Sequence, residues 1–383
     1  MSVTSALGFR SAGVAAGLKS TGKPDVAVVV NDGPDRHAAA VFTANRVAAA
    51  PVHWSRQAVS DGRADAVVLN SGGANACTGA PGFQDTHSTA EHAAALLGIS
   101  AGDVLVCSTG LIGERLPMDR LLAGVQDAVG TLSAEGGPAA AEAIMTTDTV
   151  PKTHAISGEG YTIGGMAKGA GMLAPGLATM LVVLTTDAAL EPGALDGSLR
   201  EAVRTTFERA DSDGCMSTND TVVLLSSGAS GTTPEPHEFQ ERLRAVCADL
   251  ARKLIGDAEG AGHDIAIEVV NAASEEDAEE VGRAVARSNL FKTAIFGKDP
   301  NWGRVLSAVG TTQAAFEPDA LDVAMNGVQI CRGGGIGEPR DLVDLEPREV
   351  HVLIDLHAGD HAATIWTNDL THEYVHENSA YSS

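Results

Sequence analysis

Short apolar runs alternate along the chain with longer stretches in which apolar residues recur at helical spacing. The apolar runs are rich in β-branched residues and predict strands at 26–30, 66–69, 104–107, 180–185, 221–225, 265–270 and 350–354. The longer stretches are rich in Ala, Leu, Glu and Arg and predict helices at 85–98, 117–128, 194–209, 237–255 and 274–287. Strands mixed with long helices indicate an α/β fold. Because the strands are almost continuously apolar, we expect their sheets to be covered on both faces.

The length and charge of the chain narrow its class and its partners. A chain of 383 residues can bury a large core and fits about two to three domain-sized units. Its net charge of −24 repels nucleic acid and anionic lipid, so we expect neither as a partner. The apolar runs are all shorter than the ~18–20 residues of a membrane helix. Small amino-acid metabolites are compatible with this charge.

Five scattered cysteines, without C-x-x-C pairs, argue against a disulfide framework and against a structural zinc site. They suit a reducing compartment, and we expect a cytoplasmic protein. Residues 1–24 contain basic residues and no acidic one, which leaves a transit peptide open. Since the segment has no apolar core and little arginine, we interpret it as an N-terminal arm of the mature protein.

The segment 168–187 combines a Gly/Pro-rich loop with an apolar run that starts at Thr179. A threonine hydroxyl is a weak nucleophile unless a base lies beside it, and the α-amine of an N-terminal threonine can be that base. Thr179 becomes N-terminal only if the Ala178–Thr179 bond is cut. The preceding Ala-Pro-Gly at 174–176 can form a strained turn that presents this bond. The same pattern also fits a plain glycine loop that enters a buried strand.

This segment and five others together resemble the ornithine acetyltransferase family, the bifunctional glutamate N-acetyltransferases of arginine biosynthesis. The matching motifs are K-G-A-G-M-L-A-P-G-L-A-T-M at 168–180, S-T-G-L-I-G at 108–113, I-M-T-T-D-T at 144–149, D-A-E-G-A at 257–261, D-P-N-W-G-R-V at 299–305 and E-N-S-A-Y-S-S at 377–383. Because they follow one another in order over essentially the whole chain, the resemblance is specific. One departure is Ser383, which stands where many members have threonine and keeps the hydroxyl.

The resemblance implies a fold and a processing event. The fold is a stacked-sheet αββα architecture like that of N-terminal-nucleophile enzymes. Self-cleavage gives an alpha fragment, 1–178, and a beta fragment, 179–383, which fold together as one catalytic unit. The assembly that we expect is a heterotetramer of two alpha and two beta fragments.

The resemblance also assigns roles to individual residues. Thr179 is the nucleophile, and the side chain of Thr109 and the backbone N–H of Gly110 form the oxyanion hole. The residues that bind substrate are Thr146, Lys168, Thr179, Glu259, Asn378 and Ser383. Read without the resemblance, Ser-Thr-Gly after a strand is also an ordinary turn, and an acid in a loop is usually solvated. We expect Cys107 to be a core residue and Asp148 to be structural.

Two other kinds of site are disfavoured by spacing. Lys168 lies among glycines but lacks the following Ser or Thr of a phosphate-binding loop. His357 and His361 flank Ala-Gly-Asp, which predicts a hairpin turn between two strands, so we expect no metal there. The polar loops 70–75 and 299–304 are expected to shape the walls of the site, although the sequence assigns them no further role.

The resulting prediction is an acetyltransferase that needs no cofactor, because one amide is exchanged for another. Thr179 takes the acetyl group from N2-acetylornithine and passes it to glutamate, giving ornithine and N-acetylglutamate. Acetyl-CoA is a further candidate donor in bifunctional members. The alternative enzyme is an N-terminal-nucleophile aminopeptidase or amidase, in which water replaces glutamate. A non-catalytic metabolite-binding protein that stays uncleaved is the alternative of another class.

Overall fold

Fifteen strands and ten α-helices form the part of the chain described by the computed structural model, residues 2–174 and 180–380. The strands are β1 (Phe9–Val14), β2 (Val26–Asn31), β3 (His37–Phe42), β4 (Ala66–Asn70), β5 (Val104–Ser108), β6 (Lys152–Ser157), β7 (Thr162–Lys168), β8 (Leu181–Thr186), β9 (Thr221–Ser226), β10 (Asp264–Ala272), β11 (Asp322–Met325), β12 (Val328–Arg332), β13 (Gly335–Ile336), β14 (Glu349–Asp355) and β15 (His361–Asn368). The helices are α1 (Ala50–Ala58), α2 (Gly79–Leu97), α3 (Met118–Gly130), α4 (Gly137–Ala143), α5 (Pro192–Arg204), α6 (Pro236–Gly256), α7 (Glu275–Ala286), α8 (Asn289–Phe296), α9 (Trp302–Val309) and α10 (His372–Ala380).

All predicted strands and helices are present, but one helix is shorter than predicted. The stretch 194–209 forms α5 only as far as Arg204, and a separate 3₁₀ turn follows at Phe207–Arg209. Among the helices of the described ranges, none is both long enough and apolar enough to cross a membrane.

Strands β1–β9 form two sheets that are stacked face to face. One has the strand order β1-β2-β4-β5 and the other the order β3-β9-β8-β7-β6. The core between them takes side chains from both sheets, including Val29, Leu69, Met166, Val183 and Val223. Helix α4 packs into the same core.

Helices cover the outer face of each of these two sheets. Helices α2 and α3 pack on the four-stranded sheet against residues such as Val28 and Val106. Helices α5 and α6 pack on the five-stranded sheet against residues such as Leu184 and Leu224. Since both faces are covered, β2, β4, β8 and β9 are buried along their whole length. The arrangement has the layers αββα, so the predicted fold class is confirmed.

The third sheet, in the order β13-β12-β11-β14-β10-β15, is covered differently. Its core contains residues of α7, α8 and α9. Along β14, Val350 and Val352 are buried whereas His351 between them is exposed. The expectation of two covered faces is therefore wrong for this sheet. Its strands alternate with the period of two that marks a sheet with one face in solvent.

Strands β14 and β15 follow each other in the chain but are not neighbours in the sheet. Strand β10 lies between them, with Ile267 opposite Val352 on one side and Ile365 on the other. The predicted hairpin at 357–361 is therefore wrong, and the connection passes over β10. The local sequence could not show this, because β10 is contributed by an earlier part of the chain.

The five-stranded sheet combines residues from both sides of the segment 175–179. Strand β7 pairs with β8, with Lys168 opposite Leu181, and β8 pairs with β9, with Leu181 opposite Thr221. Strands β3, β6 and β7 precede the segment, whereas β8 and β9 follow it. The predicted fragment boundary at 178/179 lies outside the described residues.

Candidate active site

The predicted oxyanion segment lies at the end of β5 and is fixed by the loop 70–75. The backbone N–H of Thr109 donates to the carbonyl of Asn70 at 2.9 Å, and the carbonyl of Thr109 accepts from Gly73 at 3.0 Å. The hydroxyl of Ser108 donates to the Asn70 amide oxygen at 2.6 Å. These bonds give the loop 70–75, whose role the sequence left open, a direct function in holding Thr109.

Gly110 needs to be glycine for two reasons. Its φ of +128° lies in a region that side chains rarely adopt. In addition, a Cβ atom at this position would lie 2.8 Å from the backbone nitrogen of Gly73. The backbone after Thr109 therefore passes against the loop 70–75 more closely than a side chain would permit.

Lys168, at the end of β7, lies directly beside Thr109. Its side chain is buried, and Nζ donates to the Thr109 hydroxyl oxygen at 3.2 Å. Burial lowers the pKa of Lys168, while the carboxylates of Asp148, Asp220 and Glu259 oppose this shift. Two residues that lie far apart in the sequence and were both predicted to act in the site are therefore in contact.

A buried charge network continues from Lys168 to Thr146. Asp148 accepts hydrogen bonds from Lys152 at 2.6 Å, from the N–H of Gly169 at 2.7 Å and from the N–H of Thr146 at 2.9 Å. Lys152 also contacts Asp257 at 2.5 Å. The network fixes Thr146 relative to the end of β7. Asp148 is structural, as predicted, but its role is to hold site residues together.

The electrostatic balance at Asp148 favours its charged form. Burial raises its pKa, but Lys168 and Lys152 outweigh burial and lower the pKa of Asp148 to about 2. Because this value is below the ordinary 3.8, the charged carboxylate stabilises the fold above about pH 4, and this contribution is lost as the pH falls towards 2.

Asp148→Asn is accordingly expected to destabilise the protein by about 3–5 kcal/mol, since it leaves buried ammonium groups without their charge partner. The free energy of unfolding in urea at pH 7 measures the loss. The difference between wild type and variant should shrink between pH 4 and pH 2. Asp196→Asn removes an exposed ion pair with Arg200 and serves as the control, with an expected loss below about 1 kcal/mol. Equal losses in the two variants would contradict the buried network.

Glu259 belongs to the same cluster. Its backbone N–H donates to the carbonyl of Ala170 at 2.9 Å. A Cβ atom on Gly171 would lie 2.7 Å from the Glu259 carboxylate, which therefore lies directly against the glycine-rich segment after Lys168. The carboxylate also raises the pKa of Lys168.

Helix α10 packs on the loop that carries Glu259. The Thr371 hydroxyl donates to the carbonyl of Gly260 at 2.6 Å. Gly260 has a φ of +63°, and a Cβ atom there would lie 2.2 Å from the N–H of Tyr374. Burial, together with the nearby carboxylates of Asp213 and Glu259, raises the pKa of the Tyr374 hydroxyl to about 12. Helix α10 is thus held against the loop that carries Glu259.

Asn378 is less closely integrated than the other predicted residues. It lies on the exposed part of α10, and its amide donates to the carbonyl of Tyr374, one turn earlier in the same helix, at 3.0 Å. Ala178, Thr179 and Ser383 lie outside the described residues. The structure therefore brings together Thr109, Gly110, Lys168 and Glu259, connects Thr146 to them through Asp148, and leaves Asn378 on the adjoining helix.

The residue that follows Thr179 is described, and its backbone is fixed on both sides. The N–H of Met180 donates to the carboxylate of Asp220 at 3.1 Å, and its carbonyl accepts from Thr221 at 3.2 Å. Since Leu181 pairs with Lys168, the chain enters β8 close to the cluster. Asp220 is not among the residues predicted for the site. Its signal is a polar S-T-N-D run, at 217–220, directly before an apolar strand.

The motif at 299–304 contributes to helix packing. The Asn301 side chain caps α9 by accepting from the N–H of Arg304 at 3.3 Å. The Arg304 side chain donates to the carbonyl of Leu290 in α8 at 2.6 Å. These hydrogen bonds hold the junction of α8 and α9.

The cluster can stabilise a negatively charged oxygen. An ammonium group donates to the Thr109 hydroxyl oxygen, so the hydroxyl proton is available to a further acceptor. The adjacent glycine can supply a backbone N–H, as in the oxyanion holes of acyl-transfer enzymes. Both groups are held by the loop 70–75 and need no rearrangement.

Comparison with known proteins of similar sequence shows the family to which the chain belongs. The ArgJ family matches residues 10–383. The arginine biosynthesis bifunctional protein ArgJ of Streptomyces coelicolor is 67% identical over 383 residues, which is all of both chains. The protein of the same name from Bifidobacterium longum is 56% identical over 391 residues, again covering 100% of each. A crystal structure of Mycobacterium tuberculosis ornithine acetyltransferase with ornithine shares 56% identity, covers 47% of this chain and 96% of its own, and has a TM-score of 0.45. The chain therefore belongs to the ArgJ family, as its motifs predict.

Proposed function

We propose that this protein transfers an acetyl group from N2-acetylornithine to glutamate through an acyl-enzyme on Thr179, as part of arginine biosynthesis. The observation that carries the proposal is the buried contact between Lys168 and Thr109, next to Gly110. Lys168 also pairs with Leu181, the first residue of β8. The ArgJ relatives support the reaction class and the pathway.

The proposed maturation step uses the same nucleophile as catalysis. The Thr179 hydroxyl attacks the Ala178 carbonyl, the bond between that carbonyl carbon and the Thr179 nitrogen breaks, and the nitrogen takes up a proton. Water then hydrolyses the resulting ester, which frees the Ala178 carboxylate and restores the hydroxyl. Since β7 and β8 pair across this point, the sheet supports the retention of both fragments in one unit.

The proposed transfer has two half-reactions. In the first, the freed amine of Thr179 accepts the hydroxyl proton, and the oxygen attacks the acetyl carbonyl of N2-acetylornithine. Thr109 and Gly110 stabilise the oxyanion, and ornithine leaves with a proton on its amine. In the second, the amine of glutamate attacks the acetyl carbonyl on Thr179, the ester bond to the Thr179 oxygen breaks, and a proton from the amine returns to that oxygen, which releases N-acetylglutamate and restores the hydroxyl. Amide is exchanged for amide, so the chemistry requires no cofactor.

Lys168 has a role in this proposal that the sequence did not indicate. The resemblance implies a contact with substrate, and that contact stays a prediction. The structure adds the hydrogen bond from Nζ to the Thr109 hydroxyl oxygen. A hydroxyl that accepts from a cation becomes a stronger donor, because neighbouring hydrogen bonds polarise one another in a buried site. Lys168 therefore supports the oxyanion hole through Thr109.

Steady-state kinetics with both substrates test the proposal. Parallel double-reciprocal lines are expected for the two-step exchange, together with one acetyl group on the peptide that begins at Thr179 after incubation with N2-acetylornithine alone. Intersecting lines without an acetylated peptide would overturn the covalent mechanism. Release of acetate at the same rate with and without glutamate would instead support the aminopeptidase or amidase alternative.

Glu259→Gln is expected to raise KM for N2-acetylornithine by about 10- to 100-fold, because a hydrogen bond to a charged group contributes about 1.5–3 kcal/mol. In the proposed complex, Glu259 pairs with the side-chain ammonium of the ornithine moiety, a group that glutamate lacks. KM for glutamate provides the control within the same enzyme and should change little. Equal increases for both substrates would show that Glu259 recognises the part that they share.

Three further properties remain proposals. They are acetyl-CoA as a second donor, the assembly of two alpha and two beta fragments, and a cytoplasmic location. An assay with acetyl-CoA as the sole donor and glutamate as acceptor tests the first. Formation of N-acetylglutamate there would show a bifunctional enzyme, and its absence would restrict the donor to N2-acetylornithine.

A further inference from the structure

The segment Ser217-Thr218-Asn219-Asp220, called the 217–220 bracket below, contacts both halves of the proposed site. The Asn219 amide is buried and donates to the carbonyl of Ser108 at 2.8 Å and to the carbonyl of Ala74 at 2.6 Å. The carboxyl of Asp220, completely buried, accepts from the N–H of Met180 at 3.1 Å.

The positions of these contacts in the sequence are what make them informative. Ser108 directly precedes Thr109, and Met180 directly follows Thr179. Two consecutive residues of the bracket therefore fix the neighbour of the oxyanion group and the neighbour of the nucleophile. Since consecutive Cα atoms are about 3.8 Å apart, the bracket limits how far Ser108 and Met180 can separate.

The bracket is itself rigidly held. The Thr43 hydroxyl donates to the carbonyl of Ser217 at 2.8 Å, and the N–H of Thr43 donates to the carbonyl of Asp220 at 3.0 Å. The Thr218 hydroxyl donates to the Asn219 amide oxygen at 2.5 Å, which orients the amide nitrogen towards Ser108. The end of β3 and the start of β9 thereby support the Asn219 side chain, which reaches Ser108 in the four-stranded sheet.

The buried carboxyl of Asp220 is held by hydrogen bonds. Burial raises its pKa well above the ordinary value, whereas hydrogen bonds from the Met180 N–H, Ser217 and Thr43 and the charge of Lys168 oppose this shift.

We infer that Asn219 and Asp220 are positioning residues, which hold the backbone of Met180, the residue after the proposed nucleophile, in place relative to the oxyanion hole at Thr109 and Gly110. The inference rests on the proposed function and adds to it the element that joins the two sheets at the site. The bracket acts on the backbone next to each reacting group, so it affects the rate of the chemical step more than the binding of substrate.

Two alanine variants with matched controls test the inference. Asn219→Ala and Asp220→Ala are expected to lower kcat by about 10- to 100-fold and to leave KM within about twofold, because misplacement by about 1 Å has effects of this size. Self-cleavage should slow in Asp220→Ala, as seen on denaturing gels over time.

The controls remove equivalent contacts at the opposite end of the same strands. Asp187 follows β8, is buried and accepts from the N–H groups of Leu7 and Thr162 at 2.8 and 2.7 Å. Asn31 joins the two sheets by donating to the carbonyl of Ser226 at 3.0 Å. Asp187→Ala and Asn31→Ala should lose stability to a similar extent and keep kcat. Equal losses of kcat in controls and bracket variants would show a general effect of destabilisation and overturn the inference.

Asp220→Asn separates positioning from folding. Its amide oxygen can still accept from Met180, so cleavage and kcat should stay within about threefold of wild type. If Asp220→Ala does not fold, Asn219→Ala and Asp220→Asn decide. An Asn219→Ala enzyme with unchanged kcat, or an Asp220→Asn enzyme with kcat lowered more than tenfold, would overturn the inference. Failure of the wild type to cleave or to exchange acetyl groups would instead refute the proposed function.

Discussion

Thr179→Ala is expected to leave the protein as a single chain of 383 residues without measurable acetyl exchange. In the proposed mechanism one hydroxyl attacks both the Ala178 carbonyl and the acetyl group, so its removal should abolish cleavage and lower turnover by at least about 10³-fold. Wild type should run as two bands on a denaturing gel, and N-terminal sequencing of the second fragment should begin Thr-Met-Leu. The variant should show only the intact band.

Thr179→Ser is the matched control for this prediction, because it keeps a hydroxyl at the same atom of the chain. It should retain part of both cleavage and exchange. Efficient processing of Thr179→Ala, or a second fragment that begins at another residue, would contradict the assignment. An uncleaved wild type that binds N2-acetylornithine without turnover would favour the non-catalytic alternative.

Thr109→Ala is expected to lower kcat by about 10²–10³-fold with little change in KM, since an oxyanion donor acts mainly in the transition state. The variant loses the hydroxyl and also the acceptor of the buried Lys168 ammonium. Initial rates with saturating glutamate and varied N2-acetylornithine measure both constants. The protein should be checked for complete cleavage before the assay, so that a slow maturation step is not counted as slow turnover.

Thr109→Ser restores the hydroxyl and should keep kcat within about tenfold of wild type. Lys168→Met removes the polarising donor while it leaves Thr109 in place, and an intermediate loss is expected. A fully cleaved Thr109→Ala enzyme with near-normal kcat would remove Thr109 from the mechanism and leave the oxyanion to backbone N–H groups.

The family and its enzyme class could be predicted because the motifs are local and occur in one order along the chain. The family is confirmed by the match over residues 10–383 and by relatives that align over the full length. The strands of the first two sheets could be predicted because both of their faces are covered, so every residue of runs such as Val26–Asn31 is apolar or buried. The αββα order of the layers, in contrast, was expected only from the resemblance to the family.

The sequence could not show which distant residues meet. Thr109 and Lys168 come together through the loop 70–75 and the register of β7, and neither leaves a trace in sequence spacing. The partners of Asp148 and Asp220 were missed for the same reason. The hairpin at 357–361 was predicted wrongly because a pair of consecutive strands does not reveal that β10 lies between them.

The order β3-β9-β8-β7-β6 has a consequence for the two polypeptides that cleavage would produce. Residues 1–178 include β3 without its partner β9, and β7 without its partner β8 on one side. Synthesised by itself, this half would expose unpaired strand edges and the apolar residues that face α5 and α6, a combination that promotes aggregation. Division of the gene at this point is therefore disfavoured. When both halves are translated as one precursor, each half supplies the strands with which the other pairs. Cleavage after folding would then leave the five-stranded sheet complete.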